Sequence, residues 1–298
     1  MDNSRFLEKA MRSTSHAVEK RLESLLALPE GGEKVLFEAM RYSLFAGGKR
    51  LRPFLVVASA DMFDVDKSRA INVAAAIECI HTYSLIHDDL PAMDNDDLRR
   101  GKPSAHKAFG EAMAILAGDG LQALAFEILG SPATHPDTGV RCELVAALAG
   151  ASGIHGMVGG QTIDLVSEGK NLDMGAVTRL QQMKTGALIS FSTEAGAILG
   201  RAAPKIRHQL QGYAHDLGLA FQITDDLLDI DGNSAETGKA TQKDAGRGKA
   251  TFVSLMGADR ARNQAELLAG QAIEHLEVFG DKALLLRALA QYVLDRRK

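Results

Sequence analysis

Residues 70–94 read AINVAAAIECIHTYSLIHDDLPAMD, a long apolar run that is closed by a proline. Apolar side chains recur in this run at intervals of three and four residues, and the same spacing continues along nearly the whole chain. Convincing alternation with period two, the pattern of half-buried strands, is missing from the sequence. Pro91 and the other prolines stand between the periodic segments, where helices are expected to end or begin. The sequence therefore predicts an all-α fold with ten or more helices.

Composition bounds the size of this fold and the partners it can take. The chain has 298 residues, 46% of them hydrophobic, and we predict a single domain over residues 1–298. A net charge of -4 provides no basic surface for a nucleic-acid backbone, so we exclude nucleic acid as a partner. Cys79 and Cys142 are isolated, which indicates reduced thiols and a cytoplasmic location. Residues 1–26 carry charges throughout, and we expect no apolar run to approach the ~20 residues of a membrane span, so we predict no stable membrane insertion.

The first chemical signal is the acidic cluster that follows the apolar run. Asp88 and Asp89 stand at the end of a helix, where the partial negative charge of the carbonyl groups disfavours carboxylates unless a cation compensates. The proline between Asp88 and Asp94 breaks the helix and allows the chain to bring Asp94 back, so that two carboxylates can share one cation. Arg99 and Arg100 follow directly, and cations held by acids beside paired guanidinium groups suit a diphosphate ligand. A solvated acidic surface is the plainer interpretation of such a cluster.

The second signal is FQITDDLLD, residues 221–229. Four polar side chains recur there at positions i, i+3, i+4 and i+7, namely Gln222, Asp225, Asp226 and Asp229. This spacing places them in one stripe on a helix, where like charges are destabilising, while the residues between them are apolar and predicted to be buried. The oxygen-only ligands of both acidic motifs favour a site for Mg²⁺, with Mn²⁺ able to substitute, over a zinc site.

Lysines and arginines in glycine-flanked positions recur around the two acidic motifs. They occur in GGKRLRP at residues 47–53, in KTG at residues 184–186, and in two Gly-Lys pairs that end at Lys239 and Lys249. Their spacing excludes a nucleotide P-loop and the hydrolases that use it. A further stretch, GMVGGQTIDL at residues 156–165, leaves two interpretations open: Gln161 and Asp164 line a cavity, or the glycines serve tight helix packing, which we favour.

The motifs of this chain resemble, in their order, those of the bacterial short-chain trans-polyprenyl diphosphate synthases. They are GGKRLRP, DDLPAMD followed by RRG, KTG, FQITDDLLD and the two Gly-Lys pairs. The resemblance spans roughly residues 40–255, and the ordered set is far more specific than any single motif. It implies a large helical bundle around a deep central cavity, a homodimer, and two aspartate-rich motifs that face each other. It also implies a magnesium-dependent enzyme that ionises dimethylallyl or geranyl diphosphate, condenses it with isopentenyl diphosphate, and eliminates a proton.

The resemblance also assigns roles to individual residues. Carbonyl or amide dipoles of Lys184, Thr185 and Gln222 would stabilise the allylic cation, and Arg99 would draw charge onto the leaving group. The magnesium ligands would be Asp88, Asp94 and Asp225, with help from Asp89, Asp226 and Asp229. The substrate-binding residues would be Arg99, Lys184, Thr185, Gln222 and Lys239 for the allylic diphosphate, Lys49, Arg52, His81 and Arg100 for isopentenyl diphosphate, and in addition Lys249. The basic tail, residues 296–298, is a candidate to fold over the site.

Product length is predicted from Tyr83 and Ser84, five and four residues before Asp88. Five residues correspond to about 7.5 Å of helical rise, so a ring there would stop a growing prenyl tail early. Tyr83 is rotated by about 140° from Asp88 on an ideal helix, so its place in the cavity wall follows from the resemblance. We predict a fifteen-carbon product of the farnesyl type and keep a longer, geranylgeranyl-type synthase as the alternative. The clean second motif disfavours a terpene cyclase, and the intact aspartates of both motifs disfavour a non-catalytic subunit.

Overall fold

A computed structural model describes residues 3–231 and 250–295, and most of these residues are helical. The first seven helices are α1 (Asn3–Leu25), α2 (Lys34–Leu44), α3 (Leu51–Asp61), α4 (Lys67–Asp88), α5 (Ala105–Phe109), α6 (Glu111–Gly130) and α7 (Thr138–Ser152). They are followed by α8 (Met157–Val166), α9 (Met174–Gln181), α10 (Ala187–Leu199), α11 (Pro204–Asp231), α12 (Phe252–Met256), α13 (Ala258–His275) and α14 (Leu284–Asp295). The prediction of an all-α fold with ten or more helices is confirmed.

Three short elements of other types lie between these helices. A two-stranded antiparallel ladder joins β1 (Leu98–Arg99) to β2 (Lys102–Pro103), and it is too short to leave an alternating pattern in the sequence. A π-helical turn covers Gln182–Gly186 between α9 and α10, and a 3₁₀ segment covers Glu277–Ala283. Because π-helical turns are rare and frequently mark functional sites, the turn at Gln182–Gly186 points to the region of the KTG motif.

α4 lies in the interior because it is apolar on all sides. Every residue from 70 to 80 is buried, as expected of a helix without a polar face. It packs against α3 on one side and α6 on another. The polar residues of this segment are paired: Asn72 accepts a hydrogen bond from Arg21 Nε at 2.7 Å, and Glu78 forms an ion pair with Arg50. The core thus fixes the position at which α4 ends, which is Asp88.

Two apolar clusters form the core, and α3 and α10 contribute side chains to both. The first cluster is built mainly from α1, α2, α3, α4, α6, α7 and α10, and the second mainly from α3, α10, α11, α13 and α14. α10 and α3 approach so closely that a Cβ atom on Gly196 would overlap Ser59 and the backbone of Ala60. The shared helices connect the two clusters, and the single domain over residues 1–298 stays a prediction.

Two segments, Glu111–Gly130 and Thr138–Val166, are long and apolar enough to cross a membrane by length and composition alone. This finding corrects the expectation that no segment approaches such a length. The first segment is α6, which packs along α4, and the second is divided by the turn between α7 and α8. Core helices of globular proteins pass the same test, so these segments by themselves do not indicate a membrane span.

Three predicted functional features lie outside the described residues. They are Lys239, Lys249 and the tail formed by residues 296–298. Their assignments stay predictions.

Candidate active site

A cavity of about 470 Å³ opens beside the end of α4. Ligand-binding pockets typically measure about 300–1,000 Å³, so its size suits a small-molecule substrate. Helices α3, α4, α8 and α10 and the π-helical turn contribute to its wall. Seven of the predicted site residues line it: Arg52, His81, Tyr83, Ser84, Asp88, Lys184 and Thr185. Met157, Leu165 and Leu188 supply an apolar surface beside them. The cavity expected from the resemblance is therefore present.

The first acidic motif folds back on itself at the end of α4. The backbone N–H of Asp94 donates to the carbonyl oxygen of Asp88 at 2.9 Å, which confirms that the proline between them lets the chain return. Burial raises the pKa of Asp88 to about 6, the nearby Lys184 opposes this rise, and Asp94 adds to it. Asp88 and Asp94 are thus close enough for each carboxylate to feel the other's charge, and a cation between them would relieve the repulsion.

Asp89 is hydrogen-bonded to Arg99. Its carboxylate is 2% exposed, and Arg99 Nε lies 3.0 Å from Oδ1 and 3.1 Å from Oδ2. Arg99 also lies 3.8 Å from Asp96. Burial raises the pKa of Asp89, and the hydrogen bond and charge of Arg99 oppose that rise. Asp89 therefore anchors the guanidinium group of Arg99 in this structure, and its role as a helper of magnesium stays a prediction.

The second acidic motif lies on one continuous helix, α11, as its spacing predicts. Asp226 is 5% exposed and accepts two hydrogen bonds at 2.9 Å, one from Gln222 Nε2 and one from the backbone N–H of Phe252. The bond from Phe252 ties α11 to the start of α12. Ile223 and Leu227 are buried as predicted, whereas Leu228 is only partly buried, which corrects that part of the prediction.

The amide of Gln222 is held from both sides. Because its Nε2 donates to Asp226, its Oε1 is turned toward Thr185, whose Oγ1 donates to it at 3.4 Å. Thr185 lines the cavity, so the chain of contacts from Asp226 through Gln222 ends at the cavity wall. A carbonyl dipole held in this way needs no reorganisation to stabilise a nearby positive charge.

Arg52 connects the second acidic motif with the basic residues of the site. Burial lowers the pKa of Arg52, and the charges of Glu78 and Asp225 oppose that change. Arg52 Nη1 lies 3.4 Å from His81 Nε2. Burial lowers the pKa of His81 well below its usual range, and Arg52 and Arg100 lower it further. His81 therefore favours its neutral form, in which it can take part in hydrogen bonds without adding another cation to the site.

The GGKRLRP loop and the RRG hairpin meet at Gly48. The backbone of Gly48 has a φ of +118°, and a Cβ atom there would lie 2.6 Å from Arg100 Cζ. Glycine thus lets the Arg100 guanidinium group pack against the loop that carries Lys49. Lys49 is exposed, while its neighbour Arg50 is buried with Glu78. The structure therefore brings Arg52, His81 and Arg100 together, whereas Lys49 Nζ lies over the ring of Tyr292 at 5.5 Å and its assignment to isopentenyl diphosphate stays a prediction.

Lys184 is held against α8. A Cβ atom on Gly160 would lie 2.6 Å from Lys184 Cα, which confirms that glycine here serves close packing. Lys184 Nζ donates to Asp164 Oδ2 at 2.6 Å. Gln161, one residue after Gly160, lines the cavity. The packing interpretation of the GMVGGQTIDL stretch is therefore confirmed, and the cavity interpretation holds for Gln161, whereas Asp164 is paired with Lys184 and is not among the lining residues.

Sequence reasoning missed two contacts of this region. The first is the ion pair of Asp164 with Lys184. The spacing of the glycines is the only feature of the nearby sequence that indicates it. His87, which we had not included in the site, lines the cavity and has its ring centroid 5.4 Å from that of Tyr83. Tyr83 and His87 are four residues apart on α4, and this spacing, which places two side chains side by side on a helix, could have predicted their contact.

The chain is similar to known proteins over nearly its whole length. A family described as Polyprenyl synthetase matches residues 33–282. The chain belongs to this family. It is 45% identical to the farnesyl diphosphate synthase of Escherichia coli (strain K12) over 100% of both chains. It is 42% identical to the geranylgeranyl diphosphate synthase of Cyanophora paradoxa, over 91% of this chain and 90% of that protein. Among solved structures, an FPP/GFPP synthase from Zymomonas mobilis has a TM-score of 0.90 and 52% identity, over 98% of this chain and 99% of that one.

Membership in the family confirms three predictions. The resemblance to trans-polyprenyl diphosphate synthases is confirmed, and so is the helical bundle around a cavity. The chain is an enzyme, a trans-prenyltransferase. Because both farnesyl and geranylgeranyl synthases are among its relatives, the length of the product is a separate question.

The donors of the site suit Mg²⁺. Within the described residues, no group of three or more His, Cys, Asp or Glu side chains is gathered closely enough to hold a metal by itself. Mg²⁺ usually binds through one or two carboxylates, retained waters and substrate phosphates, so it does not need such a group. The close pair of Asp88 and Asp94 at the end of α4 offers oxygen ligands of the kind that such an ion would use.

Proposed function

We propose that this enzyme condenses dimethylallyl or geranyl diphosphate with isopentenyl diphosphate and releases a fifteen-carbon product, farnesyl diphosphate. The observation that carries the proposal is the position of Tyr83, whose ring lies in the cavity wall five residues before Asp88. Full-length similarity to the farnesyl diphosphate synthase of Escherichia coli supports it. Geranylgeranyl diphosphate synthesis is the second candidate, because relatives with that name are 42–46% identical to this chain.

The proposed metal ligands are Asp88, Asp94 and Asp225, with help from Asp226 and Asp229, whereas Asp89, which the resemblance adds to this set, is assigned here to holding Arg99. When bound, Mg²⁺ would neutralise the charge that develops on the diphosphate leaving group. Because the donors are carboxylates, Mn²⁺ is expected to replace Mg²⁺ in part.

The basic residues would hold the two diphosphates on different sides of the cavity. Arg99 on β1 and Lys184 on the π-helical turn suit the allylic diphosphate, since both act on Asp88 electrostatically. Lys239 is assigned to the same substrate by the family resemblance. Isopentenyl diphosphate would bind to the group made of Lys49, Arg52, His81 and Arg100. Forked guanidinium groups can donate two hydrogen bonds to one phosphate, which fixes its orientation.

The reaction would proceed without a side-chain nucleophile. Arg99 would draw electron density onto the leaving diphosphate while the allylic carbon–oxygen bond breaks. The oxygen dipoles of Gln222 and Thr185 would stabilise the cation until the double bond of isopentenyl diphosphate attacks it. The released pyrophosphate would then take the proton, so that the chain does not have to provide a base.

We propose further that the enzyme is a cytoplasmic homodimer without stable membrane insertion. Ile115 and Leu116 on α6 are 44% and 51% exposed, and Ile154, between α7 and α8, is 74% exposed. Large apolar side chains in neighbouring exposed positions favour burial in a protein interface. Cys79 and Cys142 are both free, as suits a reducing compartment.

The experiment is an incubation of the protein with labelled isopentenyl diphosphate, Mg²⁺ and each allylic diphosphate in turn. The products are dephosphorylated and separated by chain length. The expected main product has fifteen carbons. A main product of twenty carbons would favour the second candidate, and the absence of any condensation would refute both.

A further inference from the structure

Gln161 is a polar residue of the cavity wall that the proposed mechanism does not use. Its amide nitrogen and amide oxygen are both buried, and neither has a hydrogen-bond partner within residues 3–231 and 250–295. Met157, Leu165 and Leu188 line the same cavity. A buried polar group without a partner destabilises the folded state, whereas an apolar side chain of the same shape would not. The amide is therefore expected to find its partner in a ligand.

Gln161 lies at the reactive end of the cavity. Its neighbours on α8 contact Lys184 on two sides, through the close approach at Gly160 and through the 2.6 Å hydrogen bond to Asp164. Lys184 acts electrostatically on Asp88. The part of α8 that carries Gln161 therefore adjoins the π-helical turn, and Gln161 shares the cavity wall with Asp88 of the first acidic motif.

The chemistry of the substrates limits what the amide can bind. A prenyl tail is a hydrocarbon and offers neither a donor nor an acceptor. A diphosphate oxygen accepts hydrogen bonds and so can pair with the amide N–H. The allylic carbon becomes positive on ionisation, and an amide oxygen stabilises such a charge through its dipole. The breaking carbon–oxygen bond is the part of the substrate that can engage both ends of one amide.

We propose that Gln161 is a catalytic residue whose amide lies along the breaking allylic bond. Its oxygen faces the carbon that becomes positive, and its N–H donates to the diphosphate oxygen that becomes negative. The carbon–oxygen bond breaks, its electron pair stays on the diphosphate, and Gln161 is neither protonated nor alkylated. This inference rests on the proposed prenyl-transfer chemistry. It assigns Gln161 a role distinct from that of Gln222, whose amide is already held by Asp226 and Thr185.

The test replaces Gln161 with methionine, which has nearly the same shape and no hydrogen-bonding amide. Because the amide acts mainly as charge develops, kcat is expected to fall at least about tenfold while KM for both diphosphates changes little. The ligand-free variant is expected to melt at the native temperature or above it, since the unpaired amide is gone. Gln161→Leu repeats the test with a second apolar shape.

Gln211→Met is the matched control. Gln211 is exposed on α11, and its amide donates to Glu194 at 3.1 Å. We expect native kcat and no rise in melting temperature for this variant. A second measurement compares the binding of an ammonium analogue of the allylic diphosphate with that of its uncharged carbon isostere. Native enzyme is expected to prefer the ammonium analogue, and Gln161→Met is expected to lose at least part of that preference.

Two results would overturn the inference. One is a kcat within twofold of native for both Gln161 variants. The other is a clear fall in their melting temperature, which would show that the amide has a structural partner. If the native protein condenses no allylic diphosphate at all, the proposed function is refuted together with the catalytic role of Gln161; if the native protein is active and both Gln161 variants keep its kcat, the role of Gln161 alone is refuted.

Discussion

Asp89→Ala is expected to release Arg99 and to leave the metal requirement unchanged. In the native structure the Asp89 carboxylate is 2% exposed, and its two oxygens accept hydrogen bonds from Arg99 Nε at 3.0 and 3.1 Å. The Arg99 side chain is 17% exposed. Arg99 has two acidic neighbours, Asp89 and Asp96. Without the Asp89 carboxylate, the mostly buried guanidinium group of Arg99 would keep only Asp96 of these two, at the longer distance of 3.8 Å.

The size of the effect follows from this burial. Removing one partner of a fully buried ion pair costs about 3–5 kcal/mol of unfolding free energy. The partial exposure of Arg99 lowers our expectation to about 2–3 kcal/mol for Asp89→Ala. At about 2–4 °C per kcal/mol for large domains, the melting temperature should fall by about 4–12 °C. Asp89→Asn retains an acceptor oxygen and should lose roughly half as much.

The assay combines thermal unfolding with steady-state kinetics at varied allylic diphosphate and varied Mg²⁺. We expect KM for the allylic diphosphate to rise about tenfold, as for the loss of one charged hydrogen bond, and the half-saturating Mg²⁺ concentration to stay native. Asp97→Ala is the control, because Asp97 belongs to the same acidic cluster but its side chain is 72% exposed and paired with Lys107. A native melting temperature together with a raised Mg²⁺ requirement would refute the anchoring role and assign Asp89 to the metal.

Three further predictions concern the metal ligands, the two substrate sites and the product. Asp88→Ala and Asp225→Ala should each remove most turnover while the circular dichroism spectrum stays helical, and chelation of the metal should stop the native reaction. Near-normal turnover of either variant would exclude the replaced aspartate from the metal site. Lys49→Ala should mainly raise KM for isopentenyl diphosphate and Lys239→Ala that for the allylic diphosphate, whereas equal effects on both substrates would contradict the division between the two sites. Tyr83→Ala should shift the product toward twenty carbons or more, measured by chromatography of the dephosphorylated alcohols; an active variant that still stops at fifteen carbons would place the end of the tail pocket at other residues.

Local spacing was sufficient for the parts of this protein that one or two turns of helix decide. The three-to-four-residue apolar period sets the helical class, since it follows from the 3.6-residue turn. The proline after Asp89 predicts the return of Asp94 to Asp88, which the 2.9 Å hydrogen bond confirms. The stripe of Gln222 and the three aspartates after it also follows from one helix alone.

Contacts between elements distant in sequence decided the rest. Adjacent residues with the same chemistry were separated by their surroundings: Asp88 faces the cavity while Asp89 is buried against Arg99, and Arg50 is buried with Glu78 while Lys49 is exposed. Neighbours on a helix point about 100° apart, so each meets a different packing partner, and no local pattern names that partner. The sequence by itself therefore determined that this chain is a helical prenyltransferase with two acidic motifs. Only the tertiary structure decided which polar groups pair with other residues of the fold and which, like the amide of Gln161, lie in the cavity wall without a hydrogen-bond partner among the described residues.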